Sequence, residues 1–348
     1  MRIGIMAPPW VRVPPGSYGG TEAVIDRLAR GFVAAGHEVL LWTTGDSTCP
    51  VPRQHIFEKA QGDRMGVAAL ELRHLIRGYA ALRSWGAEVV HDHTLIGPLY
   101  AQRFRDLTVV TTNHGPFNEE LSDLYGAVAG DVPIIAISQD QAARADGLPI
   151  ASVIYHGLDL EEFPEGDGGG DERGPYFLFL GRMAPEKGAR RAALAARRAG
   201  VRLLIAAKMR EPWEHQFYNE LVQPLLDDDI VYVGEVGHGE RVRLLRGARA
   251  LVNPIRWPEP FGLVMIEALA CGTPVLSFRE GAAPELVDDG ATGYLCDGVV
   301  DMALRMAEVA NLERHACRKA AESRFSTQRM VADHLELFER LRAPARSR

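Results

Sequence analysis

The chain has 348 residues, of which 47% are hydrophobic and 24% charged, and its formal net charge is −7. That length suits two domains of ordinary size better than a single core. The acidic balance excludes the strong basic footprint of a nucleic-acid protein. Cys49, Cys271, Cys296 and Cys317 stand far apart without a CxxC pair, so free thiols in a reducing cytoplasm are expected. No apolar run reaches the length of a membrane span, and because a strand is expected from Arg2 onward, no secretory signal is expected.

Residues 2–7 read as a short apolar strand. It runs into a Pro- and Gly-rich loop, 8–20, containing Pro14-Pro15-Gly16-Ser17-Tyr18-Gly19-Gly20. Thr21 can cap the following helix, which extends to Ala35 and stops at Gly36. Gly19 and Gly20 let a ligand approach the backbone closely and leave amides facing it. The spacing is not GxGxxG, so a nicotinamide cofactor gains no support. Residues 38–44 form a second strand, 45–60 are irregular, 65–84 a helix and 88–91 a third strand.

His91-Asp92-His93 follows that strand. The HxH pattern invites a zinc reading. Alternation of side-chain direction along a strand restricts a shared ion to a loop or a single rim, so no metal is expected. A fourth strand, 107–112, runs into Asn113-His114-Gly115-Pro116, which places His114 at a strand's carboxyl end. Further strands are expected over 133–138 and 151–159. The stretch 164–175, with five glycines among acids, reads as a flexible linker. Domains are therefore expected over 1–165 and 175–328, followed by a terminal helical segment, 329–348.

The second half repeats the alternation. A strand over 176–180 leads into Gly181-Arg182-Met183-Ala184-Pro185-Glu186-Lys187-Gly188 and an Ala-rich helix, 189–199. Arg182 and Lys187 thus flank a turn at a sheet's carboxyl edge, where two cations suit a diphosphate. Strands are expected over 201–206, 230–233, 250–254 and 275–278, a hairpin-like turn over 288–295, and helices over 243–249, 262–271, 299–308 and 330–341. The arginine-rich segments (Arg73, Arg77, Arg83; Arg190, Arg191, Arg197, Arg198) read as solvated faces, since no Trp or Phe interleaves them as a membrane-facing helix would require.

The most informative stretch is Glu259-Pro-Phe-Gly-Leu-Val-Met-Ile-Glu267. Glu259 lies in a loop between two prolines that limit the backbone on either side. Glu267 lies in an apolar helix, where a carboxylate must find donors. The amides of Phe261, Gly262 and Leu263 open that helix without intrahelical acceptors and suit an anion.

Glu259-x7-Glu267, together with Gly181-Arg182-x3-Glu186-Lys187-Gly188, resembles the signature of the retaining GT-B-fold glycosyltransferases of family 4, the glycosyl transferases group 1. Glu88-Val89-Val90-His91-Asp92-His93, the Thr112-Asn113-His114-Gly115 segment and the Gly19-Gly20 loop are similar to further patterns of that family. The resemblance implies an α/β, GT-B architecture: two Rossmann-like domains facing across a deep cleft, with the C-terminal helix returning to the first domain. It implies a nucleotide-diphosphate sugar as donor, UDP- or GDP-linked, and an acceptor glycan, lipid or small molecule. Arg182, Lys187 and the amides of Phe261, Gly262 and Leu263 would meet the diphosphate. Glu259 would meet sugar hydroxyls, and Glu267 the nucleotide ribose. His114 would stand near the reacting sugar, and Gly19 and Gly20 near donor phosphate or acceptor. No metal and no further cofactor is implied. Two other readings share these features: a GT-B-fold phosphorylase or epimerase, and a catalytically silent nucleotide-sugar-binding protein.

Overall fold

A computed structural model of the chain describes residues 1–16 and 19–342. Ser17 and Tyr18 of the glycine-rich loop, and 343–348 of the expected terminal segment, lie outside the described residues. The chain forms two compact units. One comprises Met1–Gly157 with the terminal helix Thr327–Arg342, the other Leu158–Ser326.

Among its described residues the first unit contains seven strands: β1 (Arg2–Met6), β2 (Glu38–Thr43), β3 (Arg53–His55), β4 (Val89–Asp92), β5 (Thr108–Thr112), β6 (Ile134–Ala136) and β7 (Ile150–Val153). They form one parallel sheet in the order β3-β2-β1-β4-β5-β6-β7. A parallel sheet is covered on both faces, so its central strands are apolar throughout. Ile3, Ile5, Met6, Val89, Val90 and Val110 are accordingly fully buried. The strand order reverses between β1 and β4, and open α/β sheets bind ligands at the carboxyl ends of strands flanking such a reversal. The loop before Gly20 and the segment from His93 therefore occupy the ligand-binding edge. The His93 amide donates to the Met6 carbonyl at the end of β1 at 3.0 Å.

The helix after β1 spans Gly20–Ala34, with Gly19 at its cap and no capping side chain. Thr21 thus lies in the first turn and does not cap. Strand β3 falls within the stretch expected to be irregular. Its three residues are all exposed, so no apolar pattern marks it. The terminal helix packs on helix Gly20–Ala34 through Phe338 against Phe32, with ring centroids 5.6 Å apart.

The second unit contains β8 (Phe177–Arg182), β9 (Leu203–Lys208), β10 (Ile230–Gly234), β11 (Leu251–Asn253), β12 (Val275–Phe278) and β13 (Gly293–Cys296). They form a parallel sheet in the order β10-β9-β8-β11-β12-β13. The reversal here lies between β8 and β11. The stretch expected as a hairpin-like turn instead ends in β13, which pairs in parallel with β12. Helix Arg314–Arg324 was not anticipated.

The glycine-rich stretch is not a free linker. The amides of Gly166, Gly168 and Gly170 donate to the carbonyls of Cys271, Arg246 and Gly247 at 3.0, 3.1 and 2.9 Å. Arg314 Nε donates to the Gly166 carbonyl at 2.8 Å. The segment is bound backbone-to-backbone against the second unit, with the chain entering that unit at Leu158.

The close approach of the terminal helix to Gly31 is testable. A Cβ on Gly31 would lie 2.4 Å from Val331 Cγ2. Gly31→Ala is expected to lower stability by about 1–2 kcal/mol despite alanine's higher helix propensity. Adding Val331→Ala should recover at least the propensity gain. Chemical denaturation of the single and double variants measures both, and a Gly31→Ala protein more stable than wild type would refute the packing.

Candidate active site

The second unit's site begins with the adjacency of β8 and β11. β8 ends at Arg182 and leads through residues 183–188 into helix Ala189–Ala199. β11 ends at Asn253 and leads through residues 254–262 into helix Leu263–Ala270. Because the strands are neighbours, the two loops leave the same sheet edge side by side.

Arg191 holds them together. Its Nε donates to the Pro254 carbonyl at 2.7 Å, and a terminal nitrogen donates to the Glu186 carbonyl at 2.8 Å. The Arg256 amide donates to that same Glu186 carbonyl at 2.8 Å. Arg191 was expected on a solvated face. It is instead partly buried, and desolvation lowers its pKa from the usual arginine range. Gly188 has φ +93°, and a Cβ there would lie 2.4 Å from the Pro254 carbonyl oxygen, so only glycine lets the loops approach this closely.

This packing joins the two sequence motifs. The Lys187 ammonium bonds the Glu259 carboxylate. The same carboxylate oxygen accepts from Trp257 Nε1 at 3.0 Å. Their side chains are 19% and 21% exposed, so the pair is partly desolvated yet reachable. Trp257 went unremarked in the sequence, although its place two residues before Glu259 offered a signal.

Arg182 shares the first loop. It donates to Glu186 at 2.7 Å, lies 3.4 Å from buried Glu214, and stacks over the Trp213 ring at 5.2 Å. Glu214 is itself fixed, because its other oxygen accepts from the amides of Arg210 and Glu211 at 2.7 and 3.1 Å. A guanidinium held over an aromatic face between two carboxylates has little freedom left to lose on meeting an anion.

The loop after β11 delivers Phe261, Gly262 and Leu263 to a helix N-terminus. Gly262, at the cap, has φ +93°. The first amides of the helix lack intrahelical acceptors and carry the positive end of its dipole. Glu267 lies one turn further in and is 5% exposed. Its carboxylate lies 3.5 Å from Arg241 Nε, which supplies the compensating charge that a buried acid needs. Arg241 belongs to helix His238–Gly247, which begins five residues before the expected start. The structure therefore brings Lys187 and Glu259 into contact. It places Arg182 in the same loop as Lys187, and puts Phe261, Gly262, Leu263 and Glu267 on the adjoining loop and helix.

The first unit carries His114, Gly19 and Gly20 at its own carboxyl edge. His114 follows β5, and its Nε2 lies 2.8 Å from His93 Nδ1. The His114 ring stacks on His156 at 5.3 Å. His91 lies 4.0 Å from the His93 ring and 5.0 Å from that of His334, and its Nε2 lies 2.7 Å from Thr112 Oγ1. His91, in β4, and His93, immediately after it, therefore lie on the same side of the chain. That corrects the expectation that alternation separates them. Asp92 points the other way, receiving Tyr79 Oη and the amide and hydroxyl of Thr94. Among the described residues, no group of three or more His, Cys, Asp or Glu side chains could hold a metal ion.

Burial drives the His114 pKa down to about 3, with His334 adding to the fall. His334 falls to about 4, chiefly through burial, while His91, His93 and His156 fall well below the usual histidine range for the same reason. The cluster is neutral at physiological pH. Glu22, in the first turn of the helix that begins at Gly20, is pushed up to about 7 by burial.

The family described as "Glycosyl transferases group 1" matches residues 165–324, and that described as "Glycosyltransferase Family 4" matches residues 18–162. A D-inositol 3-phosphate glycosyltransferase of Mycolicibacterium smegmatis is 32% identical, over 75% of this chain and 69% of that protein. Among solved structures, a glycosyltransferase involved in avilamycin A biosynthesis is 27% identical with a TM-score of 0.72, covering 98% of each chain. Anabaena HepE, solved with UDP and glucose, superposes with a TM-score of 0.76 at 17% identity, over 97% of this chain and 99% of that one, a likeness of fold. No helix among the described residues is long and apolar enough to cross a membrane.

The histidine cluster gives a pH prediction. These histidines have folded pKa values below their unfolded value of 6.5, so the stability they confer is complete above pH 6.5 and is lost as pH falls below it. Each loses about 1.4 kcal/mol per pH unit within that window. Glu22 and Asp92, raised to about 7 and about 6, act in the opposite direction but are outnumbered. The melting temperature should fall steeply from pH 6.5 to about pH 5. A flat profile across that window would contradict the neutral cluster.

Proposed function

The chain belongs to the group 1 glycosyltransferases, and we propose that it transfers a hexosyl group, with retention and without a metal ion, from a nucleotide-diphosphate sugar to an acceptor hydroxyl. The observation that carries this reading is the Lys187–Glu259 contact at the strand-order reversal of the second sheet. It places a cation, a carboxylate and a helix N-terminus at one sheet edge, a combination that suits a sugar diphosphate.

In this reading Arg182, Lys187 and the amides of Phe261, Gly262 and Leu263 bind the diphosphate. They stabilise the charge that accumulates on it as the anomeric C–O bond breaks. Lys187 then serves two anions, orienting Glu259 as well as the phosphate. Glu259 accepts hydrogen bonds from sugar hydroxyls, and Glu267, 3.5 Å from Arg241 Nε, accepts from the ribose. The acceptor oxygen bonds to the anomeric carbon on the face that the diphosphate leaves, and its proton passes to the departing phosphate oxygen. The sequence offers no pair of acids with a clear division into acid and nucleophile, unlike that of a glycosidase. Two protein cations and a helix terminus supply the neutralisation that a divalent ion supplies elsewhere.

The first unit serves the acceptor, with Gly19, Gly20 and His114 at its ligand edge. His114 is neutral and acts as a hydrogen-bonding group, not as a charge. UDP and GDP are the expected nucleotides, and the UDP-bound HepE structure, with its similar fold, supports the first. Four buried free thiols agree with a reducing cytoplasm.

Arg182→Ala and Lys187→Ala should each reduce kcat by a few kcal/mol of barrier, about 3 by analogy with removal of one oxyanion donor. Wild-type turnover at saturating donor in both variants would refute the phosphate assignment. Glu267→Ala should weaken nucleotide binding by about tenfold or more, the cost of losing a charged hydrogen-bond acceptor. Unchanged affinity by calorimetry would remove the ribose role. A thermal-shift screen of UDP-, GDP-, ADP- and TDP-sugars identifies the donor, because a ligand at about 100 times its Kd stabilises the fold by about 2.7 kcal/mol.

A further inference from the structure

Helix Ala68–Trp85 packs on the first sheet through Leu70, Leu75, Tyr79 and Leu82. Its opposite side exposes large apolar side chains. Leu72 and Ile76, four residues apart and so adjacent on one face, are 40% and 42% exposed. Met65 and Val67, immediately before the helix, are 62% and 40% exposed. These four make up a third of the exposed large hydrophobic residues of the described chain and fall within twelve consecutive positions.

Cations alternate with this ridge. Arg64, Arg73 and Arg77 are exposed and have no carboxylate partner among the described residues. The helix has one acid, Glu71, which is buried and accepts from the Leu95 amide at 3.0 Å. Beside Arg77 an open cavity of ≈ 590 Å³ is lined by Arg53, His55 and Trp42. A chain of net charge −7 thus presents one apolar ridge flanked by arginines that have no carboxylate partner among the described residues, Arg73 lying over the Phe57 ring at 5.4 Å. Val300 and Leu304, the other exposed pair at helical spacing, stand among Asp297, Asp301 and Glu308 and lack this character.

We propose that this face docks the enzyme on an anionic lipid bilayer, with Met65, Val67, Leu72 and Ile76 entering the interface and Arg64, Arg73 and Arg77 meeting headgroup phosphates. Exposed aliphatic residues supply the apolar component here in place of the aromatics that the sequence lacks. Charge complementarity selects the occupant. A second copy meeting this face across a two-fold axis would set Arg73 and Arg77 against their own images, whereas an anionic surface pairs with them.

Sedimentation with phosphatidylcholine vesicles, with and without phosphatidylglycerol, tests the proposal. The full chain should pellet with the anionic vesicles and stay in solution with phosphatidylcholine alone. Arg73→Gln/Arg77→Gln should weaken binding about thirtyfold, and Leu72→Gln/Ile76→Gln by about tenfold or more. All four positions are exposed, so circular dichroism and melting temperature should match wild type. Wild type remaining in solution with anionic vesicles, equal pelleting with phosphatidylcholine alone, or undiminished binding by either double variant would overturn the proposal. So would a concentration-dependent dimer abolished by Leu72→Gln/Ile76→Gln without vesicle binding, which would assign the face to a second copy.

Discussion

The candidate donor site depends on β8 and β11 lying side by side in a parallel sheet. Their pairing sends the loop at 183–188 and the loop at 254–262 out of one edge. The Arg191 guanidinium, bonded to carbonyls of both loops, fixes their separation. Without that staple, Lys187 and Glu259 would be two mobile charges on separate turns, and an exposed ion pair of that kind contributes little. With it, both are partly desolvated and share a carboxylate oxygen with the Trp257 indole. The arrangement is preorganised in the sense that matters for phosphate and sugar recognition: the side chains are ordered by the fold before any ligand contributes.

The two units handle charge in opposite ways at their ligand edges. The second concentrates cations and orders each with carboxylates, Arg182 with Glu186 and Glu214, Lys187 with Glu259, Arg241 with Glu267. A site of that kind binds and stabilises anions. The first buries imidazoles against one another and holds them uncharged, while Glu22 and Asp92 are driven toward the neutral acid. In the proposed reading such neutral groups meet the hydroxyls of an acceptor. The proposed reaction, with a diphosphate donor and a hydroxyl acceptor, asks for such a division.

The alternation of strands and helices was legible wherever a buried strand read as an apolar run, as at Ile3–Met6 or Val275–Phe278. It failed at β3, whose exposed residues carry no pattern, and at β13, where a turn signal hid a short parallel strand behind it. The glycine-rich stretch misled for a physical reason. Close backbone packing and chain flexibility both require glycine, and composition alone does not separate them. Residues 166–170 are of the packed kind. Glu267 stood out by itself, because a carboxylate in an apolar helix must find donors, whereas Lys187 and Glu259 have ordinary structural explanations and were singled out through the family resemblance of their motifs. Arg191 and Arg241 were not, since each acts through a partner distant in sequence, and Trp257 was passed over although it stands two residues from Glu259. The histidine pair at 91 and 93 was visible, but its shared face required the period of two to be applied to the pair itself.

Crystallisation with a nucleotide-diphosphate sugar tests the assignment of the second unit most directly. The diphosphate should appear within hydrogen-bond distance of Arg182, Lys187 and the amides that open helix Leu263–Ala270, with the ribose on Glu267 and sugar hydroxyls on Glu259. A nucleotide ordered at any other sheet edge, with Lys187 and Glu259 untouched, would contradict it.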